Sequence, residues 1–260
     1  MRIDVLTTFP SMFGPAADAA LNHSIPARAR AAQLVEWHAT NIRDFTTDKH
    51  QKTDDRPFGG GPGMVMTCQP VYDAVTAVEA VDPRPATRIL MTPQGEPLRQ
   101  SRVEELATKP RLLIIAGHYE GIDERVIQKL APLEISLGDY VLSGGELAAM
   151  ILIDAVIRLL PGATGDAQSP REDSFGVAQP FLGNLQTPKR DRIPLPAHQR
   201  LLDCPHYTKP RDWMGLPVPE VLLSGDHHAI ERWRLQQRLD RTRARRPDLL
   251  ANDHRDSSTL

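Results

Sequence analysis

The chain has 260 residues, a net charge of −2 and 40% hydrophobic residues, enough for one large domain or two smaller ones with a real core. That charge excludes a basic coat for nucleic acid, so any nucleic-acid surface must be local. Two cysteines, Cys68 and Cys204, cannot staple a secreted domain, and the longest apolar run, 147–160, is broken by Asp154 and Arg158 and is too short to span a bilayer, so a cytoplasmic chain without a membrane partner is expected.

The opening "MRIDVLTTFP" reads as a strand over 2–8, not as a secretion signal, because it lacks an apolar h-region and a small-residue cleavage site. Helices are expected over 15–21 and 24–32, and a second strand over 34–41. Val71, Ala74, Val75 and Val78 recur at helical spacing and predict an amphipathic helix over 69–81. A strand over 87–91, a helix over 99–108 and the wholly apolar strand "RLLIIA" (111–116) follow. A helix over 122–130, a strand over 133–137 and a helix over 146–160 complete the rhythm. Such alternation predicts an α/β fold with a mostly parallel sheet and helices on both faces. From Pro161 to Pro219 proline is frequent and the period is lost, which reads as linker and loop. Ser224 or Asp226 can then cap a helix carrying Ile230, Trp233 and Leu235. The expected organisation is an α/β domain over 1–162, a linker over 163–204 and a small helical C-terminal domain over 205–260.

Three loops rich in Gly and Pro follow strands: "TPQGEPL" (92–98), "GHYEGIDERV" (117–126) and "SLGDYVLSGGE" (136–146). Ligands of open α/β sheets bind beyond the carboxyl ends of strands, so three such loops point to one pocket. Gly138, Gly144 and Gly145 allow either close approach of a ligand or a tight structural turn. Tyr140 offers a stacking face and Asp139 an acceptor. No G-x-G-x-x-G and no Gly-Lys-Ser/Thr is present, which argues against a dinucleotide and a triphosphate. "FGGGPGM" (58–64), with Arg56 upstream, could cradle phosphate through its amides, or be a flexible surface loop.

Other candidates each carry a plain structural reading. Glu172 and Asp173 in "PREDSFG" are linker acids, usually just solvated. Arg158 near a helix end suits the helix dipole, and Glu120 and Asp123 suit a helix start. His227 and His228 are adjacent and face different ways, and Cys204 with His206 in "DCPHY" could at most be a thiolate site. Arg232, Arg234, Arg238, Arg241, Arg243, Arg245 and Arg246 crowd one helix, balanced by Glu231 and Asp240. Nucleic-acid phosphate is the natural partner of such a stripe.

Taken together, "DDRPFGGGPGMVM", "TPQG", "GHYEGIDERV", "SLGDYVLSGGELAAM", "LLDCPHYTKP" and "VLLSGDHHAIERWR" resemble, in order and over most of the chain, the bacterial tRNA (guanine-N1)-methyltransferases, which act on guanosine 37 beside the anticodon. The resemblance implies a SPOUT-class fold with a deep trefoil knot, S-adenosylmethionine bound bent in the knot, and a homodimer whose sites use both subunits. It would place the cofactor against Thr92, Pro93, Gly117, Leu137, Gly138, Asp139, Tyr140, Val141, Leu142, Gly144 and Gly145. Asp173 would be the general base, Arg158 its electrostatic partner and Glu120 a second acid. A Mg²⁺ ion near Glu120 and Asp173 is also implied. Three departures stand out: His118 where arginine is usual, Leu90 where tyrosine is common, and an insertion over 176–200 carrying Lys189, Arg190, Arg192 and Arg200. Two rivals stay open: a knotted-class ribose 2′-O-methyltransferase, which would not need Asp173 as a base, and a non-catalytic RNA-binding module.

Overall fold

The structure is a computed structural model, and it describes residues 1–16, 19–164, 173–176 and 199–250. By internal contacts it divides into two units, Met1–Ala167 and Gln168–Leu260.

In the first unit, β1 (Arg2–Thr7) and β2 (Glu36–Asn41) are followed by the short antiparallel pair β3 (Asp54–Asp55) and β4 (Val65–Met66). Then come β5 (Thr87–Pro97), β6 (Arg111–Ala116) and β7 (Leu133–Ser136). The main sheet is parallel throughout, with order β2-β1-β6-β5-β7. All six residues of β6 are buried, because a central strand apolar on both faces needs cover on both. Leu112 and Ile114 join one core with α1 (Ser24–Ala31), α3 (Gln100–Ala107) and α5 (Glu146–Ile157). Leu113 and Ile115 join the other core, with α2 (Cys68–Val81) and α4 (Glu124–Leu130). The expected α/β class, parallel sheet and two helical faces are therefore observed.

The amino ends of the strands are tied by a buried ion pair that periodicity does not reveal. Arg111 donates from Nε to Asp4 Oδ2 at 2.8 Å, and its other nitrogens donate to the Val78 and Asp82 carbonyls at 2.6 and 2.7 Å. Neither side chain is more than 1% exposed. One guanidinium thus joins β1, β6 and the end of α2, and it satisfies carbonyls that a helix end leaves open.

Two expectations for this unit need correction. No α-helix covers 15–21 among the described residues; short 3-10 turns lie at Pro10–Phe13 and Ala20–Asn22. The Asn22 amide donates to the carbonyls of Gly14 and Ala16 at 2.9 and 2.7 Å, acceptors that helical bonds would have used. Strand β5 runs six residues beyond Met91 and pairs with β7 twice, since both Met91 and Glu96 lie opposite Ile135.

In the second unit, α6 (His227–Arg245) is capped by Asp226, whose carboxylate accepts from Ala229 N at 3.1 Å. Leu201, Leu235 and Leu239 form its small core. A hairpin, β8 (Asp212–Trp213) with β9 (Leu216–Pro217), occupies part of the stretch read as loop. Each strand is two residues long, too short to leave an alternating pattern. Of the insertion over 176–200, residues 177–198, with Lys189, Arg190 and Arg192, lie outside the described residues, as does Glu172.

Candidate active site

Strands β6, β5 and β7 are neighbours in the sheet, so the loops leaving their carboxyl ends meet at one place. They enclose a cavity of about 370 Å³. Of the cofactor residues expected, Thr92, Pro93, Gly117, Leu137, Tyr140, Val141, Leu142, Gly144 and Gly145 line it, and so does Glu120. Gly138 and Asp139 are not among its lining residues. Gly138 (φ +152°) instead makes the turn, accepting from Tyr140 N at 2.8 Å, and the Asp139 side chain is exposed.

The glycines show how the loops fit. A Cβ on Gly95 would stand 2.4 Å from the backbone of Glu134 and Ile135, so the Thr92–Gly95 bulge can return beside β7 only as glycine. A Cβ on Gly145 would stand 2.8 Å from Ala116 Cα, and Gly145 N donates to Gly117 O at 2.8 Å. The glycine pair therefore serves first to let the third loop press against the end of β6, and α5 starts from that contact. Gly63 lies against the Glu120 side chain, while Gly59, Gly60 and Gly61 face open space and Phe58 is 98% exposed.

The cavity's chemistry is one-sided. Leu90, Ile135, Leu137 and Leu142 provide apolar wall, and two carboxylates, Glu120 and Glu124, stand at it. No lysine or arginine is among its lining residues. Such a site favours a ligand with an apolar body and a positive charge, and disfavours a phosphate-bearing one.

A hydrogen-bonded chain that the motifs do not announce runs to the cavity. Phe9 N donates to Thr7 Oγ1 at 2.9 Å, Thr7 Oγ1 donates to Glu146 Oε1 at 2.5 Å, and Glu146 Oε2 meets His118 Nε2 at 2.7 Å. Glu146 is 3% exposed. With both its oxygens accepting, it fixes the ring of His118, which lines the cavity. The polar Thr7 at a strand end and the Glu after a Gly-Gly pair are its sole traces in the sequence.

The proposed catalytic residues are not gathered in the same way. α5 begins at Gly145 against β6, and the segment just past it, Leu160 and Pro161, lines a surface recess with Met1 and Pro110 at the opposite end of the sheet. Arg158, thirteen residues beyond Gly145, is thus about 20 Å away from that start at 1.5 Å per helical residue. Asp173 belongs to the second unit, where its segment is firmly held. Phe175 N donates to Leu201 O at 2.8 Å, Arg200 donates to Phe175 O at 2.6 Å, and Asp203 N donates to Ser174 Oγ at 3.0 Å. Within one chain, then, Glu120 joins the cavity and Arg158 does not.

With the geometry in hand, known proteins supply the comparison. The family model described as tRNA (Guanine-1)-methyltransferase TrmD matches residues 1–252. The chain belongs to this family. It is 51% identical over 252 residues to the tRNA (guanine-N(1)-)-methyltransferase of Chloroflexus aurantiacus, covering 96% of this chain and 88% of that one. Its identity to the proteins of that name from Moorella thermoacetica and Pseudomonas fluorescens is 50% and 49%, each match covering 96% of this chain and 90% of the relative. The resemblance drawn from the motifs is borne out, and with it the enzyme class, a methyltransferase acting on a tRNA guanine at N1.

Burial pushes the Cys204 thiol up, the opposite of what a reactive thiolate needs. Asp203, Cys204 and His206 do lie together, and Asp203 Oδ2 meets His206 Nε2 at 2.8 Å. The arginine stripe of α6 is partly structural: Arg238 is 5% exposed and donates to Leu202 O, while Arg243 and Arg246 pair with Asp240 and Asp248. Exposed pairs of that kind are weak, so Arg243 and Arg246 stay available to phosphate. Among the described residues no helix is long and apolar enough to cross a membrane.

Proposed function

We propose that this chain transfers the methyl group of S-adenosylmethionine to N1 of guanosine 37 in tRNA, in the cytoplasm and as a homodimer. The observation that carries the cofactor assignment is the cavity beyond β5, β6 and β7, with apolar walls, Tyr140 and two carboxylates but no lysine or arginine. S-adenosylmethionine has an adenosine body and a cationic sulfonium, and the residues present fit it. When bound, the cofactor supplies an activated methyl group and its own leaving group.

The chain's own work is positioning and proton transfer. Guanine N1 carries a proton and is a poor nucleophile while it does. In this reading Asp173 takes that proton as the methyl arrives, and Arg158 stabilises the charge that builds on O6. Glu120, at the cavity and steadied by Gly63, stands near the reacting groups. A Mg²⁺ ion would need several oxygen ligands, of which Glu120 would supply one.

Two features support the dimer. α5 carries Arg158 to the far end of the sheet from its own cavity, so an arginine acting there would come from a second copy. The same helix leaves Leu147 and Ile151, one turn apart on one face, 51% and 52% exposed. In keeping with the family resemblance, we take the return of β5 past Gly95, and of the third loop against β6, to belong to a trefoil knot. Residues 163–204 would link the two domains.

The test is incubation with labelled S-adenosylmethionine and unmodified tRNA, then nucleoside analysis. The expected product is 1-methylguanosine, abolished by replacing guanosine 37. Label in a 2′-O-methyl nucleoside would install the ribose rival, and no label would leave an RNA-binding module.

A further inference from the structure

The second unit holds a cavity of its own, about 390 Å³, between the stretch 205–211 and the start of α6. Its chemistry is the reverse of the first cavity's. Lys209, Arg211 and Arg234 line it, and no carboxylate does. All three are exposed, and among the described residues none of the three pairs with a carboxylate. Leu223 and Ile230 give it an apolar floor. The Tyr207 ring, also at the cavity, rests against Trp233 with centroids 6.2 Å apart.

Three cations without a carboxylate partner among the described residues, around an apolar floor with an aromatic wall, match one kind of ligand. Phosphate alone would leave the floor wet, and an apolar peptide would leave the cations unused. An unstacked nucleotide satisfies both, with its base on the apolar and aromatic side and its phosphate among the cations. We propose that this cavity takes one unpaired nucleotide of the tRNA, its base against Leu223, Ile230 and Tyr207 and its phosphate between Lys209, Arg211 and Arg234. The inference rests on tRNA being the substrate and adds a second point of capture, separate from the methylated guanine. It gives the C-terminal unit a shape-dependent grip on an unpaired nucleotide, whereas a basic stripe alone would hold any duplex.

The test uses the full-length protein and an unmodified tRNA transcript, with affinity measured by fluorescence anisotropy across a salt series. Lys209→Ala, Arg211→Ala and Arg234→Ala combined should weaken binding on the order of 10-fold or more and make the log–log salt slope shallower by about 0.7, as one lost single-strand phosphate contact requires. Leu223→Ser and Tyr207→Ala should each weaken binding several-fold with the slope unchanged, because a lost base contact releases no counterions. Affinity for S-adenosylmethionine should be unaltered in all of them. Wild-type affinity and slope in the triple variant overturn the proposal. So does a weakened triple variant beside wild-type affinity in both Leu223→Ser and Tyr207→Ala, which would reveal a charged surface without a base pocket. A wild-type protein that methylates guanine 37 while the variants bind normally would fault the pocket alone; a wild-type protein that methylates no tRNA would fault the substrate assignment.

Discussion

Asp173 and Gly145 illustrate two ways in which one residue is tied to the reaction. The segment of Asp173 is held through its neighbours Ser174 and Phe175. Asp173→Asn should cut single-turnover methyl transfer on the order of 100-fold or more, the scale of a lost general base, with cofactor affinity nearly intact. Near-wild-type turnover would remove it from that role. Gly145 acts through space: its missing side chain admits Ala116 and Gly117. Gly145→Ala should lower unfolding stability by about 1–3 kcal/mol, the usual cost of overpacking, and weaken cofactor binding as well. Calorimetry can read both effects, and an unchanged Tm would show that the contact relaxes freely. At this scale the motifs were informative where chemistry and clearance coincide, as at Gly117, Tyr140 and Gly145. Gly138 and Asp139 lie in the turn and not among the lining residues, and a glycine needed for a bend and one needed for a ligand look alike in a string of letters. The chain from Thr7 through Glu146 to His118 spans 139 residues of sequence at its first link and leaves no spacing to find.

Elements were legible wherever burial imposed a period. "RLLIIA" reads as a doubly covered strand, and β6 is one, with the bounds expected. The helix over 69–81 becomes α2, one residue longer, because four of its apolar positions do face the core. The extension of β5 was hidden, since "TPQGEP" holds a bulge and a proline and pairs only because β7 lies alongside. The Asp4–Arg111 pair was hidden too, because charge in a strand normally marks an exposed edge. Arg111→Met should therefore destabilise the first unit by about 3 kcal/mol, near the low end for a broken buried pair because Arg2 still holds Asp4 at 2.8 Å. Urea unfolding followed by circular dichroism would show this as a lower midpoint at constant slope, and an unmoved midpoint would show the pair to be dispensable.

For the whole molecule, the cavity belongs to the first unit and Asp173 to the second, and within the first unit α5 carries Arg158 away from the cavity. The homodimer and the knot are expectations drawn from family resemblance; periodicity could supply neither, since local patterns are blind to threading and to a second copy. The family resemblance implies sites built from both subunits, so each working site would combine one chain's cofactor cavity with the partner's Arg158 and the partner's Asp173. Heterodimer complementation tests it most directly: Asp173→Asn is mixed with Gly145→Val, a cavity variant, under conditions of proven subunit exchange, and methyl transfer to tRNA is measured. Random exchange of equal amounts makes half the dimers mixed, and two-fold symmetry leaves each of these one intact site, so activity should rise to about a quarter of wild type from two nearly inactive parents. Activity that stays at the level of the parents would contradict the account and place cavity and base in the same chain.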